Sequence, residues 1–290
     1  MSDDREHKNA IFTQQTADGI DPRMQRISHA QQVKSDFGLD IPTEIVPLPS
    51  NGKVYSQDSS LHGAETVEIK SMTAKEEDIL TSKALLKKGT VITELIKSCM
   101  IDKSVNVLDL LSGDRNALMV AIRITGYGAE YSVEMECPEC SVKTPHDFNL
   151  AALPIKRLDI EPVTAGVNIF EFKLPRTGKV VKFKFMTGRD EEAIATLVEK
   201  HKKLGLPSDA NITTNLLYSI FSVDGVDDRS KIAGFVKNMP AMDSLALRNY
   251  MKDNEPGILM KQDTICNACG HSEEVSMPLG VTFLWPSAGR

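Results

Sequence analysis

The sequence predicts an α+β protein made by internal duplication: each copy carries a β-hairpin, a further strand, three or four helices and a C-x-x-C knuckle. The two knuckles are expected to join in one four-cysteine, zinc-ribbon-like site. Three observations carry this reading. Turn residues flanked by β-patterned runs occur at 45–55 and again at 174–185. Helix start and stop signals follow each of them. Finally, Glu136-Cys137-Pro138-Glu139-Cys140 and Ile265-Cys266-Asn267-Ala268-Cys269-Gly270 hold all but one of the 5 cysteines. A C-x-x-C turn between strands aims two sulfurs at one point, and two such turns complete the tetrahedral four-sulfur shell that zinc prefers. Redox-active dithiols or local disulfides are the alternatives, but neither turn follows a βαβ pattern or opens an amphipathic helix.

Composition sets the class. At 290 residues, 41 % hydrophobic and 26 % charged, the chain can bury a sizeable core in one large or two small domains. No apolar run approaches the roughly eighteen residues a membrane span needs, and Met1-Ser2-Asp3-Asp4-Arg5 opens no signal peptide. Synthesis in the cytoplasm is expected, where thiols stay reduced and ligation of zinc is favoured over disulfides. A net charge of −6 disfavours affinity based on neutralising phosphates.

Along the chain, residues 1–46 are polar, with Ile11, Phe12, Ile20, Met24, Ile27 and Phe37 scattered at no sustained period. A flexible arm is expected there, which could anchor on a partner. Residues 47–155 form the first expected repeat. Ile45 to Tyr55 reads strand, turn, strand about Asn51-Gly52, because glycine accepts the positive φ of a hairpin turn. A strand follows at Thr66–Lys70. Thr73 and Glu76 make a capping box for a helix running to Lys87-Lys88 and stopped by Gly89. Val91, Ile92, Leu95, Ile96, Cys99 and Met100 share one helical face, which makes Cys99 a core thiol and no ligand. A helix from Asp114 to Thr125 ends at Gly126, and Tyr131, Val133 and Met135 lead as a strand into the first knuckle.

Residues 156–290 repeat this order. Leu174-Pro175-Arg176-Thr177-Gly178-Lys179-Val180 echoes Leu48-Pro49-Ser50-Asn51-Gly52-Lys53-Val54. Val181 to Glu191 matches Val67 to Glu77 at the Val, Lys, Met, Thr, basic and acidic positions. Asp243-x-x-Ala246-Leu247 precedes Cys266 by the spacing that separates Asp114-x-x-Ala117-Leu118 from Cys137. The second copy adds a helix at about 229–237 and begins its last helix at Pro240, while the first has a longer loop from Ser56 to Glu65. Pseudo-twofold symmetry, with the knuckles meeting near the axis, is the expected result.

Catalytic motifs are missing. Gly52-Lys53 and Gly178-Lys179 lack the flanking glycine, hydroxyl residue and helix of a phosphate loop. The histidines, at positions 7, 29, 62, 146, 201 and 271, form no H-x-x-x-H pair. His271 follows Cys269 closely, yet four cysteines already fill the shell. Acidic runs such as Glu76-Glu77-Asp78 open helices and complement the dipole. With its shell full, the zinc is expected to be structural, with no enzyme activity and no small-molecule substrate. The first knuckle is flanked by Glu130, Glu134, Glu136 and Glu139 and the second by Asp263, Glu273 and Glu274, carboxylates that would repel phosphate.

The order of the Leu48-Pro49-Ser50-x-Gly52-Lys53 turn, strand, Glu76-Glu77 helix start, Cys99 to Asp102, Ile122-Arg123 and C-x-x-C resembles the baseplate hub proteins of T4-like contractile-tailed bacteriophages. The resemblance is clearest over about 45 to 150 and is echoed over 170 to 285. It implies a late, non-enzymatic tail protein of the baseplate hub, either a structural subunit or a virion assembly chaperone. Such a protein would bind other hub or tail proteins, in the host cytoplasm during assembly and then in the virion tail baseplate. It would touch no membrane. Only Cys137, Cys140, Cys266 and Cys269 carry a site over. A zinc-ribbon regulator of nucleic acid or polymerase is the alternative, and a thiol redox protein the third.

Overall fold

The computed structural model describes residues 33–34, 40–205, 212–277 and 279–285, so most of the expected N-terminal arm lies outside the described residues. A two-residue ladder joins Val33–Lys34 (β1) to Asp40–Ile41 (β2). Thr43–Pro47 (β3) then pairs antiparallel with Thr66–Lys70 (β4). Alternation puts Val46, Val67 and Ile69 inside.

The strand expected directly after Asn51-Gly52 does not form. Both residues do take positive φ, 51° and 68°, but residues 48–65 form an irregular loop that wraps a buried carboxylate, Asp114. A Cβ on Gly52 would lie 2.3 Å from the Ala64 nitrogen, so the loop closes on bare glycine backbone. The ladder therefore resumes only at β4.

Thr73 and Glu76 form the expected capping box at Ala74–Thr81 (α1). The helix does not run unbroken to Lys88. Ser82, extended at φ −65° and ψ 106°, ends α1 and accepts the Leu85 N–H to start Lys83–Lys88 (α2). Val91–Cys99 (α3) buries Val91, Leu95, Ile96 and Cys99, the face its spacing predicts. Ser112–Tyr127 (α4) is buried on nearly every side between Gly113 and Arg123, as a central helix must be, and packs on α3 and β3.

Glu130–Glu136 (β5) and Lys143–Asn149 (β6) form a two-stranded ribbon, followed by Ile155–Lys156 (β7). Phe170–Lys173 (β8) and Val180–Phe183 (β9) make a true hairpin, with Gly178 at φ 68° in its turn. Then come Gly188–Lys203 (α5), Ile212–Ser219 (α6) and Ile220–Val223 (β10), which adds to β9 to give the sheet order β10-β9-β8. Arg229–Asn238 (α7) and Ala241–Asn254 (α8), the latter capped by Pro240, match the two helices expected late in the chain. Gly257–Ile258 (β11) pairs with β7. Lys261–Ile265 (β12) and Ser272–Ser276 (β13) form the second ribbon, and Val281–Leu284 (α9) packs back on α4.

The buried apolar side chains form one continuous cluster from Val46 to Leu284, with Phe170, Phe183 and Phe185 in mutual contact. The N-terminus of α4 is where early and late segments meet. Ser112 N–H donates to the Met186 carbonyl at 2.9 Å and Gly188 N–H to the Leu110 carbonyl at 3.1 Å. Gly113 permits the backbone at Pro256 to approach, since a Cβ there would lie 1.9 Å from the Pro256 oxygen. Among the described residues, no helix is long and apolar enough to cross a membrane.

Candidate metal centre

Each knuckle sits at the tip of its ribbon and is folded by the same backbone bonds. Cys137 N–H donates to the Val142 carbonyl at 3.1 Å, and Ser141 N–H to the Cys137 carbonyl at 2.8 Å. In the second ribbon, Cys266 N–H donates to the His271 carbonyl at 2.8 Å, and Gly270 N–H to the Cys266 carbonyl at 2.8 Å. The residue after the second cysteine of each turn is left-handed, Ser141 at φ 56° and Gly270 at φ 75°. Glycine does this without cost, and serine at some cost. These turns let both sulfurs of a knuckle face the same way.

The structure brings all four predicted cysteines together, with their Sγ atoms within 4.8 Å of one another. Cys137 Sγ lies 3.7 Å from Cys269 Sγ, and Cys140 Sγ lies 3.8 Å from Cys266 Sγ. The close pairs are thus crossed, the first cysteine of each knuckle beside the second of the other. A tetrahedral zinc with Zn–S bonds of about 2.3 Å requires S–S edges of about 3.8 Å. A disulfide needs about 2.05 Å. The cluster fits the ion. Cys137 and Cys266 are buried, Cys140 is half-buried and Cys269 exposed.

The local field is shaped by backbone amides. The N–H groups of Ala268 and Cys269 point at Cys266 and bring its thiol down to about 6, in the thiolate range. At Cys269 the amide of His271 pulls the same way, but desolvation and the three other sulfurs outweigh it and push the thiol up to about 12. Crowded sulfurs that cannot all ionise alone are what a divalent cation relieves. The remaining cysteine, Cys99, is fully buried in the core as expected, and its thiol is pushed up to about 12 by desolvation and by Glu76.

The ribbons are tied to the body at their bases. Leu150 N–H donates to the Ala129 carbonyl at 2.8 Å, Arg123 Nη1 to the Gly128 carbonyl at 3.0 Å, and Tyr131 packs on Phe283 with ring centroids 5.2 Å apart. Two further carboxylates organise turns of the fold. Asp114 accepts from the Ser50 N–H at 2.9 Å, the Ser50 hydroxyl at 2.6 Å and the Tyr55 hydroxyl. Asp243 accepts from the Arg176 and Thr177 N–H groups at 2.7 and 3.1 Å. Sequence reasoning noted these aspartates only as recurring letters; that recurrence was the signal of their shared task.

A family model described as T4 bacteriophage base plate protein matches residues 41–285, a span that includes both ribbons and all four clustered cysteines. No curated protein and no solved structure matches the chain.

Proposed function

The chain belongs to the T4 bacteriophage base plate protein family, and from that premise we propose that it is a non-enzymatic tail protein that takes part in building the baseplate hub. It does so as a structural subunit or as an assembly chaperone, by binding other hub or tail proteins in the host cytoplasm. The observation that carries this reading is the family match across 41–285. Quantitative mass spectrometry of purified phage particles and of the particle-free lysate tests it. A fixed ratio to hub proteins in particles means a subunit; presence only in lysate, bound to a tail protein, means a chaperone. Association with neither sinks the reading.

In the same proposal, Cys137, Cys140, Cys266 and Cys269 hold one structural zinc ion. The sulfur separations support this, and a shell of four sulfurs leaves no position for substrate or water. The ion's contribution is to tie two ribbons whose cysteines stand 126 to 132 residues apart.

We also read the chain as two copies of one unit, 47–155 and 156–290, and matched contacts support that division. Lys70 bonds to Glu76, which caps with Thr73; Lys184 bonds to Asp190, which caps with Thr187. Asp114 with Ser50 and Asp243 with Arg176 form a second matched set, and the two knuckles a third.

A further inference from the structure

Among the described residues, one end of the molecule is left open. Helix α2 buries none of its six residues. It exposes Lys83, Lys87 and Lys88, with Leu86 45 % exposed among them. The C-terminal turn of α5 carries Lys200, Lys202 and Lys203, all exposed, followed by Leu204 at 72 %. The two helices share a field: Glu199 of α5 is held below its usual range first by its bond to Lys203, and also by Lys87 of α2.

The ribbons present the opposite chemistry. Residues 130–149 carry five carboxylates and residues 261–276 carry three, against one lysine in each. Val142 and Ile265, beside the knuckle cysteines, are 45 % and 63 % exposed. The two surfaces lie at different ends of the helical body. Ser98 of α3 bonds to Glu76, and Tyr127 of α4 to Glu77, so the C-termini of α3 and α4 share a level with the start of α1. The first ribbon leaves from that level. Arg115 of α4 bonds to Thr93 of α3, which puts both N-termini at the far level, where α2 connects α1 to α3. A helix of sixteen residues such as α4 separates the levels by about 24 Å. Helix α2 and the start of the first ribbon therefore stand at opposite levels of the body.

We propose that the basic, leucine-bearing end formed by α2 and the end of α5 docks on the acidic ribbon end of a second copy of this chain, so that copies associate head to tail. Such a contact joins unlike surfaces, and it propagates into a ring or a filament rather than stopping at a twofold dimer. Charge sets its register, and Leu86, Leu204, Val142 and Ile265 supply apolar area at its centre. The inference stands on surface chemistry alone and does not depend on the hub reading.

Sedimentation velocity of the full-length chain tests it. In about 50 mM salt, species larger than a dimer are expected as protein concentration rises. In about 500 mM salt, where the Debye length falls to roughly 4 Å, at least about tenfold more protein should be needed for the same association. The triple variants K83E/K87E/K88E and E134K/E139K/D263K should each be monomeric alone. Mixed in equal amounts they should associate again, because the mixture restores opposite charges at every contact. Circular dichroism and metal content equal to the unsubstituted chain establish that each variant is folded. A chain that stays monomeric at low salt, variants that self-associate unchanged, or a mixture that stays monomeric would each overturn the proposal. So would a monomer whose lysine end instead binds single-stranded DNA.

Discussion

At the scale of single residues, Asp114 and Asp243 each hold a turn, by different balances of force. Both are wholly buried. At Asp114 desolvation dominates and raises the carboxyl despite bonds from Ser50 and Tyr55; at Asp243 desolvation also pushes upward, but the amides of Arg176 and Thr177 win and lower it. Asp114→Ala would orphan the Ser50 amide, the Ser50 hydroxyl and the Tyr55 hydroxyl together, and should cost about 3 kcal/mol or more in urea unfolding. Asp243→Ala orphans two amides nearer solvent and should cost about 1–3 kcal/mol. Glu76 supplies a pH signature. Burial alone would raise it, but Lys70, Ser98 and Thr73 bond to its carboxylate and bring it from 4.5 down to about 2. A lowered folded value means its stabilisation is complete above pH 4.5 and is lost as pH falls toward 2. Glu76→Gln should cost about 1–3 kcal/mol at neutral pH and flatten the acid limb of a stability profile between those values.

At the scale of elements, α4 is the piece on which the others converge, and Gly113 is its most constrained position. Gly113→Ala puts a methyl into the Pro256 carbonyl. It should destabilise by about 2 kcal/mol or more and raise amide hydrogen exchange at Gly257 and Ile258, while exchange within β5 and β6 stays unchanged. Elements whose identity rests on local bonds were legible from sequence. The Thr73–Glu76 capping box, the buried face of α3 and the late helices α7 and α8 all stand where their residues predict. Elements decided by distant partners were not. The run after Gly52 has strand-like composition, yet its Tyr55 hydroxyl turns inward to Asp114, 59 residues away. Ser82 breaks a helix because its hydroxyl competes for the Leu85 amide, a choice that spacing alone does not reveal. The β7–β11 pair joins residues about a hundred positions apart and carries only two residues on each side, too short to leave a periodic trace.

At the scale of the whole molecule, the clustered cysteines were legible because C-x-x-C turns are rare and their geometry is strict. The crossed pairing was not, since it depends on how the two ribbons face each other. Cys266→Ser with Cys269→Ser should release the metal altogether rather than halve it, as read by metal analysis of the purified chain. Full metal content in that variant would mean that the first knuckle is a site by itself. Chelation should lower the unfolding temperature, with a loss of stability set by metal affinity, about 4 kcal/mol when free metal stands a thousandfold above its dissociation constant. One continuous core spans early and late segments, so loss of the metal should loosen the ribbons before it melts the body. The crossed sulfurs also impose a timetable. Cys137 and Cys140 leave the ribosome 126 to 132 residues before their partners, a wait of roughly 6–25 s at about 5–20 residues per second. During that interval the first knuckle is a bare dithiol, so the proposed metal would load late, only once the second ribbon has been made and has closed on the first.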